Sequence, residues 1–435
     1  MKNLFSLILM FFAIHSTIAQ CSCDQTISSS NVTSSGYVFK ENTTYCIQGN
    51  ISVGEKVYFE NNVTICVPSG SKLTINNQMP SSSSYPRSNI VNWNISGNLI
   101  IPNEFYSSFN MNILEGGKVS GLYNGIRQDL NVYGNYFNLD IDSGGSYIMG
   151  NLNFHNTQSN TINNAGDFSI TGEIAMRNER ASLQFFNYNV ASLTGNLNFT
   201  QGGLNLFENY GTFDCNGIHS TDPTLHLKND GDMTTRGNYD DTVGSNFSNC
   251  GTLHMSQNWT NLQGRIINTG NMTVTVSSVA FNSTGRIDNY SIMSLRGVTM
   301  APDGAVFYNE GEVTFETNQV YNVKFYGPGS NQQPDHSTST NYGRFKWPGV
   351  SNGNALVKGN LNLVNTNGKS SREGMFGNNS VVSDNGSVKY GNCNDCTVIT
   401  EYDQCANADG TWPINVNKPE MPKSIPVNRH VRTHL

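Results

Sequence analysis

Apolar and polar residues alternate along this chain in short bursts, and between Ile162 and Thr317 the bursts recur as one phrase. The phrase is an apolar residue, a spacer, Asn, a spacer, a residue that is usually Gly, and then two apolar residues in alternation. Its Gly-like anchors are Gly166, Asn189, Gly211, Gly231, Gly251, Gly270, Ser291 and Gly311, spaced 19 to 23 residues apart. Two places earlier stand Asn164, Asn187, Asn209, Asn229, Asn249, Asn268, Asn289 and Asn309, without exception. Four places earlier stand the apolar Ile162, Phe185, Phe207, Leu227, Phe247, Ile266, Ile287 and Phe307. After the anchor, pairs such as Phe168/Ile170, Phe213/Cys215 and Val313/Phe315 share one side, and the polar Ser169, Asp214 and Thr314 between them take the other. Such alternation is the period of a strand with one face on a core and one in water.

About twenty residues with two or three short strands cannot close a core alone, but a stack of such units can. Equivalent side chains then line up in columns, with coils about 4.8 Å apart. In that arrangement the recurring Asn is expected to form a ladder, its amide bonding the Asn of the next coil and its backbone using the left-handed conformation that Asn tolerates. A β-propeller needs blades of about forty residues, and odd and even units here look alike. The pattern resembles the right-handed parallel β-helix, an adhesin-like solenoid. The fold expected is therefore all-β, a single right-handed parallel β-helix with coils of about twenty residues.

The phrase continues outside the clean stretch with lower fidelity. Thr44–Ile47 and Thr64–Val67 match one coil apart, and Gly353 to Leu363 restores the pattern downstream. The organisation expected is a signal peptide at 1–19, a β-helix over 20–390 with extruded loops at 78–89 and 328–342, and a Cys-containing tail at 391–435. The signal peptide is read from Lys2, the apolar run Leu4–Ile14 and the small-residue site ending at Ala19. Its ending resembles secreted proteins of the Bacteroidetes, and it implies a secreted or cell-surface location. Cys21 opens an acylation alternative, against which Gln20 stands.

With 13% charged residues and a net charge of −7, nucleic acid is not an expected partner. No later run is long and apolar enough to predict a membrane span. All nine cysteines follow the signal segment, which suits an oxidising compartment. Cys46 and Cys66 occupy matching places in neighbouring coils and are the expected disulfide pair. Cys215 falls in an inward column, and Cys393, Cys396 and Cys405 in the tail suit local disulfides better than a metal site. No metal or other cofactor is expected.

The motifs of polygalacturonase-like hydrolases do not occur in order. On the outward face Asp214, Thr234 and His254 fall in one column of consecutive coils, with Asp232 and Arg236 flanking Thr234. Such groups could do acid–base work on an acidic polysaccharide. Outward positions must be polar in any case, and elsewhere they carry Ser and Thr. The reading taken from the sequence is a non-catalytic, adhesin-like solenoid that binds polysaccharide or cell-surface glycan along its polar face. A polysaccharide lyase or hydrolase acting at Asp214, Asp232, Arg236 and His254 is the alternative.

Overall fold

A computed structural model describes residues 21 to 407, interrupted by short stretches of which 30–36 and 76–87 are the longest. The expected segment 1–19, most of the loop at 78–89 and the tail beyond 407 lie outside the described residues. The protein is all-β, its parallel strands stacked into a β-solenoid with coils about 21 residues apart. Among the described residues a first sheet of 17 strands and a second of similar length run along the axis, and a third of eight strands lines the middle.

One coil shows how the sequence makes this shape. Leu206–Asn209 lies in the first sheet, Thr212–Cys215 in the second and Gly217–Ser220 in the third. The next coil places His226–Asn229, Asp232–Thr235 and Tyr239–Asp241 beside them in parallel register. Glycine marks the corner because coils come close there. A methyl group on Gly251 would run into the carbonyl oxygen of Gly231.

Inward positions form continuous apolar columns. Phe207, Leu227 and Phe247 are paired in register and no more than 3% exposed. Each such side chain contributes about 1.5–3 kcal/mol of burial, most of which chain ordering offsets. Among the described residues one helical turn, Arg372–Met375, tucks Met375 into the C-terminal end of the core.

The segment 328–342 is a folded excursion between the strands Lys324–Tyr326 and Gly343–Trp347. It lies back against the outside of the first sheet. There Arg286 Nη2 donates to Gln332 O at 2.9 Å, and the Ser337 hydroxyl donates to Glu310. Thr400, Tyr402 and Ala406 lie against the same side of the coils.

The expected Cys46–Cys66 bridge is replaced by two others. Cys21 pairs with Cys66 and Cys23 with Cys46, with Cα separations of 6.3 and 5.6 Å. Cys46 and Cys66 are direct register neighbours. That geometry holds two parallel Cβ vectors about 4.8 Å apart, wider than the ~3.8 Å a disulfide favours. A segment crossing over them can approach each at a better angle. Cys393 pairs locally with Cys396, whereas Cys405 reaches Cys250. Cys215 is buried and free, its thiol pushed up to about 12 by burial.

Candidate functional site

The repeating Asn residues end their first-sheet strands and point inward, all 0% exposed from Asn164 to Asn309. Each Nδ2 donates to the Oδ1 of the next: Asn164 to Asn187, Asn187 to Asn209 and Asn209 to Asn229 at 2.7 Å, and Asn229 to Asn249 at 2.8 Å. The chain continues through Asn268 and Asn289 to Asn309 at 2.7–2.8 Å. The second amide proton usually reaches a backbone oxygen one coil on, as from Asn229 to Thr252 O at 2.9 Å. Their backbone is not left-handed. Among the described non-glycine residues, positive φ falls at Asn42, Asn62 and Asn322. A ladder residue must keep strand geometry to stay in register, so the left-handed turn is left to other positions. This ladder is a structural element with no access to solvent.

The outward column of the second sheet is open instead. Ser169, Ser192, Asp214, Thr234, His254, Thr273, Ser294 and Thr314 are half-exposed in consecutive coils. Register pairs Asp214 with Thr234 and Thr234 with His254. Asp214 and His254 are therefore about 10 Å apart along the backbone, beyond a shared hydrogen bond. Arg236, 54% exposed, forms an ion pair with Asp214 across one coil. The other Asp214 carboxylate oxygen is buried with no hydrogen-bond partner. Asp232 is exposed on the far side of Thr234, about 13 Å along the strand from Arg236. The four residues share a face, but only Asp214 and Arg236 are brought into contact.

A second cluster, which the repeat does not announce, sits on the third sheet. Tyr106, Tyr133 and His155 stack face to face in successive coils, with centroids 4.8 and 4.6 Å apart. His155 Nε2 lies 3.1 Å from Asn131 Oδ1, and Arg177 Nε donates to Asn153 Oδ1 at 3.1 Å. Burial, then the Arg177 charge, lowers the His155 pKa, and Glu104 opposes them. Tyr188 and Tyr210 stack likewise at 5.3 Å on the first sheet, with the Lys228 ammonium over Tyr210.

Among the described residues no group of three or more His, Cys, Asp or Glu is placed to hold a metal, and no helix is long and apolar enough to cross a membrane. No family model, curated protein or solved structure matches this chain.

Proposed function

We propose that the protein is a secreted, non-catalytic surface solenoid, adhesin-like in action, that holds polysaccharide or cell-surface glycan along the outer face of its second sheet. The observation that carries this reading is the unbroken, half-exposed column from Ser169 to Thr314. Eight coils at about 4.8 Å give a flat polar strip about 34 Å long. Contacts of small individual strength add along an extended polymer when one rigid surface holds them all. The outer face of the first sheet is the poorer candidate. Its N-terminal coils are crossed by the Cys21–Cys23 segment and its C-terminal coils by residues 328–342 and by Thr400, Tyr402 and Ala406.

One observation favours the enzymatic alternative. Asp214 and Asp232 lie one coil and two residues apart, about 8 Å between backbones, a spacing compatible with inverting glycosidases. Against it stand the engagement of Asp214 by Arg236 and the separation of His254 from Asp214 by two coils. A glycan array combined with an assay for reducing ends and unsaturated products, on wild type and on Asp214→Asn/His254→Ala, separates the readings. Binding without products, weakened only modestly in the double variant, supports the adhesin. Products from wild type that vanish in the double variant overturn it, since each acid–base group contributes about 100- to 10,000-fold.

A further inference from the structure

Each coil of a solenoid touches only its neighbours, so unfolding starts at an end and advances coil by coil. At the C-terminal end, Val382–Ser383 and Val388–Tyr390 pair with the preceding coil alone among the described strands. Beyond Gly391 the chain turns back over the outside of the first sheet, against the direction of stacking. Tyr342 N donates to Thr397 O at 2.8 Å, and Ser291 Oγ donates to Thr400 O at 2.8 Å. The Tyr402 ring lies 4.9 Å from Tyr290, and Ser248 Oγ donates to Ala406 O at 2.8 Å. There Cys405 is bonded to Cys250, 155 residues earlier in sequence.

This strap covers a satellite core on the outside of the sheet. Ile267, Tyr290, Tyr308 and Ala406 are at most 1% exposed, and Tyr326 is 7% exposed. In the same outward column the two coils before Ser248 carry the half-exposed Glu208 and Lys228, which need no cover. Six first-sheet strands, from Arg265–Asn268 to Val382–Ser383, follow the coil of Cys250.

We propose that the strap and its Cys250–Cys405 bond form a redox-sensitive clamp that makes these last coils unfold as one unit. If the final coil opens while the strap stays seated, the released segment is held at both ends and gains less entropy than a free end would. Cutting the bond turns the strap into a free end that can peel away from Tyr290 and Ile267. Both cysteines are half-exposed and open to a dithiol. One thiolate of the reductant attacks a sulfur to form a mixed disulfide, and its second thiol closes the reductant ring. Two electrons pass to the protein, which is left with two thiols.

Native-state proteolysis of the folded, full-length protein, with cut sites mapped by mass spectrometry, tests the clamp. With the bond intact, residues 343–407 resist as well as the central coils do. After dithiol treatment, or in Cys250→Ser/Cys405→Ser, first cuts fall within 343–407 at a rate roughly ten-fold higher or more, leaving the coils before Cys250 intact. Cys393→Ser/Cys396→Ser removes a link of sequence separation 3 and keeps the wild-type pattern. Treating the folded wild type covers the case in which the Cys250/Cys405 variant does not fold, and cuts near the N-terminal bridges are told apart by position. Unchanged rate and sites after reduction overturn the clamp, as does C-terminal cutting in Cys393→Ser/Cys396→Ser alone.

Discussion

One inner column runs along the first sheet from Ile27 to Asn309, and its two parts are filled differently. In the early coils it holds Ile27, Ile47, Val67, Ile95, Ile113 and Ile141. Register then passes from Ile141 to Asn164, and from there to Asn309 the column is amide. The early coils keep their amides outside. Asn110 donates to Asn92 and Asn138 to Asn110, both at 2.9 Å, and Asn112 donates to Asn94 at 2.9 Å. The handover falls on adjacent residues, since Asn163 donates outward to Asp140 at 2.6 Å while Asn164 begins the inner ladder. Coil spacing changes with it. The outer ladder spans steps of 18 and 28 residues, whereas the inner ladder keeps to 19–23. Apolar burial has no direction and tolerates uneven coils. A buried amide that must meet both neighbours within 2.7–2.8 Å does not. Directional bonding inside goes with an even period, and half-solvated amides outside go with a looser one.

The comparison can be broken most forcefully by exchange. Ile95→Asn strands an amide among aliphatic neighbours and opens a void, and is expected to cost about 4–5 kcal/mol in chemical denaturation. Asn229→Leu removes the acceptor of Asn209 and the donors to Asn249 and Thr252 O, for an expected loss of about 2–4 kcal/mol. Ile141→Asn sharpens the idea, because Asn164 Oδ1 is buried with no hydrogen-bond partner and would receive the new amide proton. That variant should be milder than Ile95→Asn by about 1–3 kcal/mol. Equal losses in the two would show that the column does not recognise where its ladder begins.

The smallest effect expected is on pH, and it reaches both parts. His155 in the early coils and His336 in the later excursion each have a pKa lowered first by burial. Arg177 adds to this at His155 and Glu104 opposes it. At His336, Arg265 and Arg286 add to it while Asp288 and Asp335 oppose it. With a folded pKa below the ordinary 6.5, the unfolded state takes up the proton first as pH falls. The stability of each segment is therefore whole above 6.5 and declines as pH drops through the folded value. Protection factors for hydrogen exchange, referred to the intrinsic rate at each pH, should fall around both histidines between pH 7.5 and 5, and His336→Gln should remove the change around 328–342 only. Protection there that is constant with pH would show that His336 does not report on the excursion's packing.

The even half of the molecule is the legible half. Asn at a fixed place, with Gly two residues on and apolar residues on both sides, announces the coil, its register and its inner column. The register of Asp214, Thr234 and His254 follows from the same period. The diagonal contact of Arg236 with Asp214 does not, because rotamers on an open face are not set by repeats. In the early coils Ile47, Val67 and Ile95 occupy the ladder column, but uneven spacing hides their equivalence. The cysteine partners were hidden for another reason. Cys21, Cys23 and Cys405 sit in segments that cross the coils and carry no period, so spacing says nothing of what they meet.

The inner ladder also has a direction. Every amide from Asn164 to Asn289 hands its proton toward the C-terminal end, and none hands one back. A duplicated unit spliced in between any two of these rungs would meet an acceptor ahead and a donor behind, both already in place. The gene could thus lengthen or shorten this stretch by whole units without repairing either junction. Ile141, with no proton to give Asn164, marks where such growth stops.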